Sequence, residues 1–122
     1  MAKKKGSAGK MKKFILIYHS PLAAMELMAK ATPEEQAKGM EPWMAWSAKC
    51  GDHLLDMGAP LALGLKVDKS GIKQMKPKND LITGYSIMQA ENIDTIKKLV
   101  DNHPHVNWTE GCWLEIHEMT QM

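Results

Sequence analysis

The stretch from Gly84 to Met119, GYSIMQAENIDTIKKLVDNHPHVNWTEGCWLEIHEM, constrains this chain more than any other, because it reads as strand, helix, short loop, strand. Tyr85 and Ile87 alternate with Ser86 and Met88 along Gly84–Ala90, the period of a strand with two distinct faces. Asn92 is placed to cap a helix, since its side chain can accept from a free amide of the first turn. Ile93, Ile96 and Val100 then recur at helical spacing, and Pro104 stops the run. Cys112–Met119 alternates again, with Leu114 and Ile116 to one side and Trp113, Glu115 and His117 to the other. A unit of this kind cannot bury its apolar faces alone. The rest of the chain must supply more sheet.

Lys13–His19, KFILIYH, is the first strand. Both its faces are apolar, which suits a central position, and Pro21 ends it. Leu22–Ala31 reads as a short helix. Thr32-Pro33-Glu34-Glu35 opens a longer one: Thr32 at the N-cap, Pro33 at the first helical position, Glu35 closing a capping box. Gly39 and Pro42 interrupt or kink it, and it is expected to run to about Met57, with Gly58 at the C-cap position. The expected buried stripe is Met40, Trp43, Met44, Ser47, Cys50, Gly51, Leu54 and Leu55; Trp46, Lys49, His53 and Asp56 fall opposite. Pro60–Val67 reads as the second strand, Asp68–Gly71 as a turn, Ile72–Met75 as a short return strand. The third strand opens at Leu81.

The order β, α, β, β, α, β gives an α+β fold, a ferredoxin-like βαββαβ domain. It has a four-stranded antiparallel sheet, two helices on one face, and strands one and three in the centre. The other sheet face is left bare and apolar. A second copy of the chain is the economical cover, so a homodimer is expected.

At 122 residues this is one domain. The net charge of +2 is a property of one end, since Lys3, Lys4, Lys5 and Lys10 account for four positives and the remainder stands at −2. Residues 1–10 are expected to be a disordered basic tail or an added leader, with Met11 as the alternative start, and 11–122 the folded domain. No arginine occurs, which weakens any reading built on bidentate phosphate clamps. No apolar run nears the roughly 20 residues needed to span a bilayer. No membrane partner, no nucleic-acid partner and no cofactor are expected, and the protein is read as cytoplasmic. Cys50 and Cys112 read as reduced, buried thiols.

From Met11 onward the chain resembles the YCII-related family, which overlaps the DGPF-domain proteins. KKFILIYHSP, EPWMAWSAKCGDHLLDMGAPL and NDLITGYSIMQAENIDTIKKLVDNHPHVNWTEGCWLEIHEM carry the resemblance. It implies a dimeric α/β barrel, in which two ferredoxin-like sheets face each other, and a bacterial protein of largely unassigned role. The DGPF motif itself is absent: the region reads Pro77-Lys78-Asn79-Asp80-Leu81. No histidine stands near Pro42–Trp43, where some relatives place a catalytic one. A family segment before the last strand matches His103-Pro104-His105 only at its proline.

Strand direction locates the chemistry. Strand one ends at His19, helix one starts near Trp43, and strand three starts near Asp80. Helix two leads to His103 and His105, and strand four follows Trp108 and begins at Trp113. These segments converge on one end of the sheet, with His117 towards the other. The expectation is a small-molecule pocket walled by Trp43, Trp108 and Trp113, with His103 as a further binding residue. His19 or His105 would be the proton-transfer group and Asp80 its orienter, since imidazole titrates near neutrality. His103-x-His105 and Glu115-x-His117 each lack a third metal ligand, and no metal site is expected. The reading is lyase- or isomerase-like proton chemistry; alternatives are a non-catalytic ligand-binding or regulatory module and a structural accessory subunit.

Overall fold

The structure, a computed structural model, describes residues 10–121. The lysine-rich segment expected to form a tail lies, apart from Lys10, outside the described residues. In chain order the elements are β1 (Lys12–Ser20), α1 (Leu22–Lys30), α2 (Pro33–Cys50), a 3-10 turn (Gly51–His53) and β2 (Leu54–Asp56). Then follow β3 (Leu65–Asp68), β4 (Gly71–Gln74), β5 (Leu81–Ala90), α3 (Ile93–Val100) and β6 (Trp113–Met119). The fold is mixed α+β, with three helices and a four-stranded sheet in the order β2-β5-β1-β6. Each pairing in that sheet is antiparallel. β1 and β5 are therefore central, as the apolar character of both β1 faces required.

Alternation along β1 sorts its residues. Phe14, Leu16 and Tyr18 are buried with Met88 and Ala90 of β5, Trp46 and Cys50 of α2, and Ile96 of α3. Leu114 and Ile116 of β6 pack against the same cluster. α2 and α3 thus cover one sheet face. Ile15, Ile17, Tyr85 and Ile87 lie on the other, where they are half-buried. Among the described residues no helix is long and apolar enough to cross a membrane.

The start of α2 follows its sequence. Thr32 Oγ1 accepts from the Glu35 amide at 3.1 Å, and Glu35 Oε1 accepts from the Thr32 amide at 2.8 Å. Thr32→Ala removes the first bond and exposes an unpartnered amide. It is expected to cost about 1 kcal/mol in a urea titration, and a wild-type midpoint would show that water replaces the cap fully. α2 is one continuous helix through Pro42.

Three expectations need correction. α2 ends at Cys50, not Met57, because Gly51 takes φ 56° and breaks the helix. Leu54 and Leu55 consequently belong to β2, not to a helical stripe. The buried side of α2 is also rotated from the expected one. Trp46 is 4% exposed, whereas Met40 and Met44 are 45% and 58% exposed. Trp46 is drawn inward because the Leu99 carbonyl at the end of α3 accepts its indole N–H at 2.9 Å, so the ring buries its area without an orphaned donor. Finally, Pro60–Val67 is not the second strand of the sheet. β2 takes that place beside β5, and the segment meets the sheet at its first residues, through a bridge from Pro60 to Gly84 and the Leu61 amide donating to the Thr83 carbonyl at 2.9 Å. Leu65–Val67 instead joins β4 in a separate hairpin, with Val67 opposite Ile72 and Lys66 opposite Lys73.

β1 and β5 are out of step at one point. Tyr18 pairs with Gly84 but His19 with Ile82, so Thr83 is an extra residue, a bulge.

Candidate functional site

β1 ends where β5 and β6 begin, so His19 meets Asp80 and Trp113. On the helix-free face His19 lies in one row between Ile82 of β5 and Trp113 of β6. The Trp113 indole stacks on the imidazole, with ring centres 3.9 Å apart and planes 10° from parallel. His19 Nδ1 is 3.2 Å from Asp80 Oδ1, and its Nε2 is hydrogen-bonded to Glu115 Oε1. Asp80 Oδ1 also accepts the Trp113 indole N–H at 3.1 Å. Glu115 turns its second oxygen to His117, whose Nε2 is 2.6 Å away.

His19 is therefore an imidazole held between two carboxylates. Carboxylates only accept, so the arrangement is saturated when both ring nitrogens carry protons. The His117 hydrogen bond first, and the His19 bond second, hold the Glu115 carboxyl below its usual range. His19 is only 7% exposed, whereas the Asp80 side chain is 56% exposed. Of the two carboxylates that hold His19, Asp80 is thus the more exposed, Glu115 standing at 33%.

A second polar group lies beneath the helices. His103 is fully buried. Its Nδ1 accepts from the His105 amide at 3.0 Å, which leaves the proton of a neutral ring on Nε2. That N–H donates to the Tyr18 hydroxyl at 3.1 Å. Tyr18 in turn donates to Ser86 Oγ at 2.7 Å, and Ser86 to the Met57 carbonyl at 2.7 Å. Every bond in this line has one donor and one acceptor. Burial, with His105 adding to it, pushes the His103 imidazole down to about 3. Burial also raises the Tyr18 hydroxyl. The line therefore stays neutral at ordinary pH.

Of the residues expected at one pocket, the structure brings His19, Asp80 and Trp113 into contact. Trp43 is at the same end but under the helices, edge-on to Tyr18 and His103 at centroid distances of 5.2 and 5.0 Å. β1 separates it, with His103, from the open face. His105 sits between the groups: it is 5% exposed, and its Nε2–H donates to the His19 carbonyl at 2.7 Å. Burial lowers its pKa, against the raising effect of the His19 and Trp113 backbone groups. Neither His103 nor His105 is a solvated loop residue. Trp108 is 41% exposed and makes no aromatic contact with the others. Glu115 was missed as a partner of His19, and His117 joins the cluster through it. The signal was available: Glu115 follows Trp113 by two on the same face, so it lies diagonal to His19 across the strand pair.

Beside Asp80 runs an apolar groove of about 190 Å³, lined by Leu22, Met25, Leu61, Leu63, Pro77, Leu81, Ile82 and Thr83. Among the described residues no ionisable side chain lines it. Among the described residues, no group of three or more His, Cys, Asp or Glu is arranged to hold a metal ion. The arrangement can move protons and accept hydrogen bonds at a wet carboxylate beside an apolar wall. No protein-family model matches the chain, and no curated protein matches it.

Proposed function

We propose that the Asp80–His19–Glu115 cluster is an acid–base site for a small metabolite, in a cytoplasmic homodimer of ferredoxin-like, YCII-related subunits. One observation carries the reading: a buried imidazole is fixed between two carboxylates, and one of those carboxylates opens to solvent beside an apolar groove. Pinning of this kind prepays the orientation a proton transfer needs. In this reading Asp80, the more exposed of the two carboxylates, carries the transfer itself. His19 then backs it, stabilising the carboxylate as it loses or gains the proton, and Trp113 fixes both. The roles of His19 and Asp80 are thereby exchanged relative to the sequence reading. The strand order agrees with a ferredoxin-like sheet, and the half-buried Ile15, Ile17, Tyr85 and Ile87 offer a second copy a surface next to the site. Isomerase- or lyase-like chemistry, with no organic cofactor, fits such a constellation.

A second reading has its own support. Both His19 nitrogens are already engaged and the ring is nearly inaccessible, which suits a binding or regulatory module that never turns over its ligand.

The test is to identify by mass spectrometry any metabolite that co-purifies, then to follow its conversion. Asp80→Asn and His19→Gln are each expected to slow turnover by about 100-fold or more. Full turnover in both variants would remove the cluster from the chemistry, and tight retention without turnover by the wild type would establish the binding module. Sedimentation of a monomer at micromolar concentration would remove the dimer.

A further inference from the structure

Hydrogen-bond bookkeeping at the rim narrows the ligand. Asp80 Oδ1 is occupied by His19 Nδ1 and Trp113 Nε1. Asp80 Oδ2 has no partner among the described residues, and the side chain is half-exposed. A carboxylate oxygen can only accept. The nitrogen donors around it are spent: both His19 nitrogens face carboxylates and the Trp113 indole N–H is on Oδ1; the Thr83 hydroxyl is paired with Ser20 Oγ at 2.8 Å, and one neutral O–H of that pair is left over. The rim therefore offers an incoming molecule an acceptor and a negative charge, with no cationic side chain among the residues that line the groove to answer an anion. Behind it the groove wall is Leu22, Leu61, Leu63 and Ile82, which rewards apolar area. Trp113, 45% exposed, adds a π-face next to the carboxylate, which favours a cation. Lys73, Lys76 and Lys78, the lysines nearest in sequence, line with Lys66 a second concavity, on the β3–β4 hairpin and the segment after it, which meets the groove at Pro77.

We infer that the groove beside Asp80 selects a compact, largely apolar ligand bearing a hydroxyl or a protonated amine, and discriminates against carboxylates and phosphates. The ligand's donor sits on Asp80 Oδ2 and its apolar body in the groove. This inference rests on the reading of Asp80 as the ligand-facing group of the site, and adds the ligand class. The discrimination is strong in kind, because an anion there meets a like charge and leaves Asp80 Oδ2 desolvated and unpaired.

Three probes with one apolar body and different heads test it: phenethylamine, 2-phenylethanol and phenylacetate, titrated at constant ionic strength into the full chain. Binding is read from the Ile82 methyl and Trp113 indole N–H resonances. The amine and the alcohol are expected to shift these signals saturably. Phenylacetate is expected to bind at least about tenfold more weakly at the same signals, the loss of one charge-assisted hydrogen bond and the repulsion of a like charge. Asp80→Asn keeps an oxygen for His19 and Trp113 but places an amide N–H where Oδ2 was, so the order should invert in favour of phenylacetate. Equal or tighter phenylacetate binding to the wild type overturns the inference, as does the absence of a saturable shift with every probe. An unchanged order in a folded Asp80→Asn variant overturns it too. The wild-type order stands by itself should that variant not fold. Failure of the acid–base reading is distinguishable: it appears as the expected binding order without turnover of any ligand, whereas a reversed order sinks the ligand class whatever the turnover.

Discussion

Gly58→Ala is expected to destabilise the protein by about 3–4 kcal/mol, more than any surface substitution and close to the largest single-site losses seen in small domains. Gly58 follows β2 with φ 82°, a conformation that costs a residue with a Cβ about 1–2 kcal/mol. Space makes it worse. A Cβ built there lies 1.7 Å from the Tyr85 carbonyl oxygen, and that oxygen belongs to the backbone of a central strand. No side-chain rotation relieves the clash; either the turn or β5 must move. Movement of the turn has a second cost, because the preceding Met57 carbonyl is the acceptor at the end of the His103–Tyr18–Ser86 line. Urea denaturation monitored by Trp fluorescence measures the effect. A loss below about 1 kcal/mol would mean that the turn shifts without disturbing β5, contrary to the close approach described.

Acid should weaken the fold well above the carboxylate range, and His103 should be the main reason. In the unfolded chain its imidazole takes a proton near its model value of 6.5; in the folded one burial holds it down to about 3. Between those limits the unfolded state binds a proton that the native state does not. Stability is therefore fully present above pH 6.5 and is lost as the pH falls towards 3, with a limiting slope of about 1.4 kcal/mol per pH unit for this one group. His105 is shifted in the same direction and adds to the slope. Glu115, also lowered, adds only as the pH falls below its model value of 4.5, so the interval between pH 6.5 and 5 isolates the histidines. His103→Phe is expected to flatten the curve in that interval. It should also cost about 1–3 kcal/mol at pH 7, because Tyr18 loses its donor. A wild-type urea midpoint constant from pH 7 to 5 would show that His103 titrates normally, and hence that it is not buried as described.

What the sequence made legible was direction. Apolar residues on both sides of β1 marked a central strand, Asn92 and the Ile93–Ile96–Val100 spacing marked α3, and alternation marked β5 and β6. From those four elements the convergence of His19, Asp80 and Trp113 follows, since antiparallel neighbours start where β1 stops. Depth was not legible. His103 looks like a loop histidine beside Pro104, and only the Tyr18 hydroxyl, remote in sequence, explains why it can be buried. The phase of α2 was lost because methionines and tryptophans form two competing stripes. Burial of 43, 46 and 50 wins where α3 offers Trp46 a carbonyl, which no periodicity contains. The Leu61–Val67 alternation misled for a different reason. Two-residue periodicity reports that a strand is possible, not which partner pairs with it, and β2 had already taken the edge beside β5.

The out-of-step pairing at Thr83 has a consequence for how this site can change. Because one surplus residue sets which neighbour stands across from His19, the candidate row depends on the number of residues between Gly84 and Asp80 as much as on their identity. Point changes in that stretch retune the row, and excising Thr83 alone would leave Ile82 across from His19 and Asp80 on its present side, whereas excising a second residue would carry Asp80 to the opposite side of the strand. A lineage that dropped both would keep every chemical group of the cluster in its gene and lose the encounter between them.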